Sequence, residues 1–293
     1  MTPLSATDLP VHRLGLADLT ACLDLADSRD WTREEHKWRL LLTAGQGYGI
    51  DAPAGDGVGG LIATVVVTSY GDDHRCLSMV LVAERYARRG IARHLMRHVL
   101  AECGPATAFL SATDQGRPLY EQLGFKAVGG LTTIRGTFTG AVPPPAGAAS
   151  AVRPATAADL PAVLAYDRPV FGADRTGLLT RLPAFADRFL VAEEAGTGRL
   201  AGFAAAWPNP SSIVIGPVVA DDTATAQALI ARLGAEAPRA VRYDVDARHR
   251  ELGAWLRANG LGDGHDTTLM VRGAPDIPGD ITRRFAPYSV ALG

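Results

Sequence analysis

The run Arg88-Arg89-Gly90-Ile91-Ala92 stands where an apolar strand hands over to an amphipathic helix, and it has the composition of an anion site. The first turn of a helix presents N–H groups without intrahelical partners and carries about half a positive charge. Small residues at Gly90 and Ala92 let a phosphate approach that backbone closely, and Arg88 and Arg89 add charge beside it. The plain alternative is a glycine-containing turn with two solvated arginines. The loop alone does not separate the two readings, because a glycine near a helix start also occurs in plain turns.

The neighbouring elements must hold that loop in place. Cys76 to Val82 is apolar on both faces, with Leu77, Met79 and Leu81 set against Ser78, Val80 and Val82. That pattern predicts a central strand covered on both sides. Glu84 to Arg89 reads as a polar loop, with Gly90 just inside the helix start. From Ile91 to Cys103 the residues Ile91, Ala92, Leu95, Met96, Val99 and Leu100 form one stripe, and Arg93, His94, Arg97 and His98 form the other face. Upstream, a helix runs from Asp18 to about Leu25. A second, near Arg33 to Thr43, gathers Trp38, Leu41 and Leu42 on one side. Leu61 to Thr68 is a β-branched, apolar strand, closed by the turn Gly71-Asp72-Asp73. Downstream come a strand from Thr107 to Ala112, a short helix from Pro118 to Leu123 and returning strands from Phe125.

The whole chain has 293 residues with 47% hydrophobic and 20% charged side chains, a globular composition long enough for one large or two ordinary domains. A net charge of −2 supplies no field that would recruit nucleic acid or an anionic membrane. Cys22, Cys76 and Cys103 are odd in number and far apart, which argues against a disulfide framework or a zinc site and fits a reducing cytosol. Met1 to Pro10 lacks a basic-then-apolar leader, and no apolar run approaches the roughly 18 residues of a membrane span. A cytoplasmic protein without nucleic-acid or membrane partners and without a metal is expected.

Residues 140 to 151, with three prolines among alanines and glycines, form a linker. The chain on either side begins alike, Arg13-Leu14-Gly15-Leu16-Ala17-Asp18-Leu19 against Arg153-Pro154-Ala155-Thr156-Ala157-Ala158-Asp159-Leu160. It also ends alike, Leu119-Tyr120-Glu121-Gln122-Leu123-Gly124-Phe125 against Trp255-Leu256-Arg257-Ala258-Asn259-Gly260-Leu261. Several matches in one order favour duplication over chance in an alanine-rich chain. The expected organisation is 1–139, linker 140–151 and 152–293, each half an α/β domain.

Met79-Val80-Leu81-Val82, the polar loop, Arg88 to Ala92 and the later Leu119 to Phe125 together resemble the GNAT superfamily of CoA-dependent acetyltransferases, over most of residues 11 to 136. The resemblance implies tandem GNAT folds, each a mixed, mostly antiparallel sheet flanked by helices on both faces. It implies acetyl-CoA or another acyl-CoA as co-substrate. Met79 to Val82 would pair with the pantetheine arm and polarise the thioester carbonyl. Arg88, Arg89, Gly90, Ile91, Ala92 and Arg93 would bind the pyrophosphate. Tyr120 matches the tyrosine that protonates the departing thiolate, where a positioned O–H and a preorganised donor for the oxyanion both have physical sense. Ala87 stands where the family loop has Arg or Gln, and Thr113 where many relatives carry Asn near the pantetheine arm. Trp31 and Glu35 lie where GNAT proteins commonly shape the acceptor side.

The second half lacks both elements. Its corresponding stretch, Ile215 to Ala226, has no glycine after Gly216, places Asp221 and Asp222 where phosphates would sit, and answers Tyr120 with Leu256. It reads as a degenerate copy whose aspartates cap a helix. Trp207, Tyr243, Asp244, Asp246, His249 and Trp255 could line a pocket, though core or surface roles suit each better. The expected reaction is direct attack by the neutral amine of a small-molecule acceptor on acyl-CoA. No Cys or Ser has a nucleophile's context, and no general base is singled out among Asp72, Asp73, His74 and Asp114. A non-catalytic acyl-CoA sensor and a protein N-acetyltransferase are the alternatives, and monomer and homodimer remain open.

Overall fold

The computed structural model describes residues 9–145 and 150–293; the first eight residues, and 146–149 of the proline linker, lie outside it. In chain order the elements are β1 (His12–Leu14), α1 (Leu19–Asp27), α2 (Glu35–Ala44), β2 (Gln46–Asp51), β3 (Leu61–Tyr70), β4 (His74–Val82), α3 (Ile91–Cys103), β5 (Thr107–Ala112), α4 (Arg117–Gln122) and β6 (Lys126–Gly136). After the linker come β7 (Ser150–Pro154), α5 (Leu160–Phe171), α6 (Thr176–Leu179), α7 (Leu182–Phe185), β8 (Arg188–Glu194), β9 (Leu200–Asn209), β10 (Ser212–Ala220), α8 (Thr223–Ala235), β11 (Val241–Asp246), α9 (Arg250–Ala258), β12 (Leu261–Arg272) and β13 (Arg284–Ala286). The predicted bounds of α3 and β5 coincide with the observed ones. Strand β2 carries no strand signal in the sequence, because Gly47 and Gly49 contribute no apolar alternation. Its glycines answer to packing: a Cβ on Gly49 would meet Leu61 Cδ1 at 2.7 Å, and one on Gly47 would meet Leu14 Cβ at 2.9 Å.

The strands join in one mixed sheet of order β1-β2-β3-β4-β5-β12-β6-β11-β10-β9-β8-β7, with β13 against β10. Among the described residues only β4 with β5 and β10 with β11 run parallel. The expected returning strands after Phe125 reduce to one, β6. Its hairpin partner does not come from the first sequence half. Strand β12 fills that place, pairing Thr268 with Ala112 on β5 and Thr267 with Leu131 on β6. In turn β6 completes the sheet of the second half, pairing Ile134 with Tyr243 on β11. The two halves therefore exchange their last long strands.

Burial follows that exchange. One core collects Trp38, Val65, Leu95 and Val99 with Met270 of β12 and Phe171 of α5. The other surrounds Ile215, Leu229, Tyr243 and Leu256 and takes in Ile134 of β6. Helices α1 and α3 pack on β3 and β4, and α8 packs on β9 and β10. The segment from β13 onward runs between the halves. Tyr70 Oη donates to the Leu292 carbonyl, Trp207 Nε1 donates to the Tyr288 carbonyl at 3.3 Å, and Tyr243 Oη donates to the Phe285 carbonyl at 2.9 Å. A buried ionic chain crosses the same seam. Lys37 pairs with Glu34, Glu34 with Arg242 at 3.5 Å, and Arg242 with Asp244 at 3.1 Å.

Candidate active site

Strands β4 and β5 pair only from His74 to Cys76 against Thr107 to Phe109, and beyond Cys76 they part. The parting is assisted from the other side of β4. Its register with β3 shifts between Thr64 and Val66, Met79 takes a left-handed backbone (φ 51°), and Thr64 Oγ1 fixes the Met79 carbonyl with a 2.8 Å hydrogen bond. A non-glycine residue held there carries strain that surrounding structure must support. The splay opens a cleft of about 560 Å³.

One end of the cleft is the start of α3. Gly90 caps the helix at φ 81° rather than sitting inside it, and Arg88 is also left-handed at φ 60°. Glycine adopts that conformation without the Cβ penalty. The helix N-terminus so presented faces the cleft together with Arg88 and Arg93. Ala87 is on the wall as well, where its methyl offers no charge.

At the other end stands Tyr120 on α4, 7% exposed, its ring edge-on to Phe125 with centroids 6.1 Å apart. A Cβ on Gly116 would lie 3.0 Å from the tyrosine ring and 3.5 Å from both the Tyr120 hydroxyl and Thr113 Oγ1, so the missing side chain leaves room beside the phenol. Burial holds the phenol well above its ordinary pKa, and it stays protonated. Ser78 Oγ is buried at the cleft without a hydrogen-bond partner among the described residues, and Ser111 faces Ser78's strand from β5. Arg29 at the end of α1 is ion-paired with Glu84 after β4, tying together two walls of the cleft beside Trp31.

The structure thus brings Met79, Val80, Leu81, Val82, Arg88, Gly90, Ile91, Ala92, Arg93, Thr113, Tyr120 and Trp31 to one cleft. It does not bring Arg89 or Glu35 there. Arg89 stacks 5.2 Å above the Tyr86 ring, and Glu35 is ion-paired with Arg39 at 2.7 Å on the exposed side of α2. Asp72, Asp73, His74 and Asp114 are also off the lining, and Glu84, the one carboxylate on it among the described residues, is bound to Arg29. Ser78, Ser111 and Arg29 also line the cleft, and no local sequence signal marks them, since a serine in a strand and an arginine at a helix end look like any other. The cysteines are free and buried, and burial pushes the Cys76 thiol up to about 12, which removes it as a nucleophile.

The second half repeats the geometry and then closes it. Strands β10 and β11 pair in parallel from Ile213 to Ile215, and β10 shifts register against β9 between Ile215 and Val218. The gap so opened is taken by the chain itself, with Ala286 of β13 pairing with Val218 and Arg284 with Val219. Asp222 caps α8 by accepting from the Thr225 N–H at 2.7 Å, and Asp221 is bound by Arg199 at 2.8 Å. Trp207 and Tyr243 are core; Asp244 is held by Arg242 and Asp246 by Arg248. His249 lies 3.0 Å from the Ile281 carbonyl, and Trp255 Nε1 donates to that of Val142. Among the described residues no His, Cys, Asp and Glu cluster could hold a metal, and no helix is long and apolar enough to cross a membrane.

Comparison with known proteins agrees with this geometry. Two family models for acetyltransferase (GNAT) domains match, one over residues 60–137 and one over 163–286. The uncharacterized N-acetyltransferase YitH of Bacillus subtilis is 28% identical over 222 residues, covering 74% of this chain and 75% of that one. A putative acetyltransferase from Pyrococcus horikoshii superposes with a TM-score of 0.78 at 19% identity over 100% of this chain and 99% of its own. A tandem GNAT protein from the clavulanic acid biosynthesis pathway gives 0.63 at 15% identity over 92% and 99%. At these identities the two structures speak for the fold alone.

Proposed function

This chain belongs to the GNAT acetyltransferase family, with two such folds in tandem, and from that premise we propose that it is an N-acyltransferase that moves an acetyl group from acetyl-CoA to the amine of a small molecule. The observation that carries the proposal is the contrast between the halves. One splayed strand pair is open, with a left-handed glycine at its helix end and a buried phenol at its other end; the other is filled by β13. The residues present fit the co-substrate. A helix start with N–H groups lacking intrahelical partners, beside an Arg88 guanidinium with no ion pair among the described residues, suits a pyrophosphate, and the edge of β4 from Met79 to Val82, which pairs with no described strand on the β5 side, suits an amide-bearing arm.

In the reaction the acceptor nitrogen attacks the thioester carbonyl carbon, the C–S bond breaks, the sulfur takes a proton from Tyr120 Oη, the amine's proton leaves to water, and water returns a proton to the Tyr120 oxygen. An N–H of β4 beside the Met79 bulge supplies the donor for the oxyanion. Such a donor, fixed in advance, is worth more than one that must reorganise. With Glu84 tied to Arg29, the amine must arrive neutral or shed its proton through water at Ser78 and Ser111. The three unpaired cysteines suit a reducing, cytoplasmic setting.

Release of free thiol from acetyl-CoA, measured against a panel of small amines and lysine peptides, tests the proposal. Turnover with a small amine supports it. Turnover with peptides only would make the protein a protein N-acetyltransferase. Thermal stabilisation by CoA with no thiol release under any amine would make it a sensor and overturn the enzyme reading.

A further inference from the structure

A second, smaller cavity of about 30 Å³ lies at the seam of the two halves, on the strands that form the cleft. Its wall includes Cys76, Phe109 and Ser111 from β4 and β5, Asp246 from β11, Arg284 from β13 and Gly293. Ser111 lines both this cavity and the acyl-CoA cleft, so the two spaces adjoin through one side chain. The volume admits about two waters, or the head of one carboxylate.

Three guanidinium groups surround this end of the seam. Arg175 stacks on Phe171 at 4.0 Å and grips Asp167 through Nε at 3.0 Å and Nη2 at 2.5 Å. Arg248 grips Asp246 through Nε and Nη2, each at 2.9 Å, and also reaches Asp276 at 3.4 Å. Arg284 stacks on the same Phe171 at 4.5 Å and spends one donor on the Pro278 carbonyl at 3.1 Å. Among the described residues no carboxylate lies within ion-pair distance of it, although Asp167 and Asp246 act on it from farther away, and of its five N–H donors only the one to Pro278 is committed. Desolvation, with Arg175 nearby, lowers its pKa to about 10. A cation at a cavity wall without a direct ion pair is costly, and a planar fork with free donors matches a carboxylate in two-point geometry.

Resting on the acyltransferase reading, we propose that this cavity is the carboxylate subsite of the acceptor, which is therefore an amino carboxylic acid, its carboxylate on Arg284 and its amine directed past Ser111 toward the thioester. Residues two apart on β5 are about 6.6 Å apart, so a short amino acid spans from the cavity to the cleft. The degenerate half then supplies substrate selection: its groove is closed by β13, and the same strand delivers the guanidinium that reads the acceptor.

The test compares the common α-amino acids and short ω-amino acids with the amines left when their carboxyl group is removed. The expected result is at least one amino acid with kcat/KM about tenfold or more above its decarboxylated partner, and loss of that margin in Arg284→Met, with acetyl-CoA-dependent thermal stabilisation retained. A second readout is independent of catalysis: the preferred amino acid raises the Tm of the wild-type chain without acetyl-CoA and leaves that of Arg284→Met unmoved. If Arg284→Met does not fold, Arg284→Lys keeps the charge and should retain part of both effects, and the wild-type comparison still decides. Equal turnover with and without the carboxylate overturns the subsite and leaves acyl transfer standing. A carboxylate-dependent Tm shift without thiol release from any amine supports the subsite and overturns acyl transfer. Absence of both the margin and the shift overturns the subsite.

Discussion

Gly216 and Pro287 lie in backbone contact: a Cβ on Gly216 would meet the Pro287 carbonyl at 2.4 Å. Gly216 sits at the register shift of β10, the counterpart of Met79 in β4, and Pro287 follows the strand that closes the second groove. The contact leaves no space there for a pantetheine arm. Isothermal titration with acetyl-CoA should therefore give one site per chain, and Gly90→Glu, which sets a bulky anion at the cap of α3, should remove all of the binding heat. Two sites, or half the heat remaining in Gly90→Glu, would show that the second half binds after all.

Tyr120→Phe removes the hydroxyl and keeps the ring against Phe125. On the proposed mechanism the lost proton donor acts in the transition state, so kcat should fall about 100-fold or more while acetyl-CoA affinity stays within a few-fold. The sign of the pH dependence follows from burial. The phenol's pKa is raised in the folded protein, so it remains a proton donor up to and beyond the ordinary tyrosine value of about 10. The wild-type rate should rise as the acceptor amine loses its proton and show no fall below about pH 10 from this group. A descending limb near neutrality that Tyr120→Phe abolishes would contradict the assignment.

Exchange of β6 and β12 makes each sheet depend on the other sequence half. With a protease site built into the linker, cleavage should leave two fragments that co-elute under native conditions and separate only in denaturant. Gly136→Ala tests the seam from inside. Its Cβ would meet the Gly260 carbonyl at 2.0 Å, a clash with backbone that costs about 1–3 kcal/mol or more. Both halves should then melt earlier together, read as one shifted transition in calorimetry. Separate transitions would mean that the exchange does not couple them.

Residues with a strong local period were legible without coordinates. The stripe from Ile91 to Leu100 and the two-sided apolar run from Cys76 to Val82 placed α3 and β4, and the loop between them marked the cleft. Alternation along a strand, however, says which face is buried and not which strand lies beside it. Nothing in Lys126 to Gly136 announces that its neighbours are β11 and β12. Strand β13 has three residues, too short for any period, yet it decides that the second groove is shut. Arg284 could not be distinguished from any other arginine, because its meaning lies in the carboxylates that its neighbours Arg175 and Arg248 already hold.

Arg242 is the keystone of the ionic chain that joins α2 to β11. It is 8% exposed, and it holds Asp244, 2% exposed, which also accepts from Thr133 Oγ1 of β6 at 2.7 Å. Its partner at the N-cap of α2, Glu34, is shared with Lys37. Replacing Arg242 with Met keeps most of the volume but strands Asp244 as a buried anion with a single hydroxyl donor. Breaking a buried pair from one side costs about 3–5 kcal/mol, whereas exchanging both partners for apolar residues can be neutral. Arg242→Met should therefore destabilise the chain by about that amount in urea unfolding, and Arg242→Met with Asp244→Leu should recover much of the loss. Glu34 keeps Lys37 in either variant, so the recovery isolates the Arg242–Asp244 contact. A double variant no more stable than the single one would mean that Asp244 was not the source of the cost.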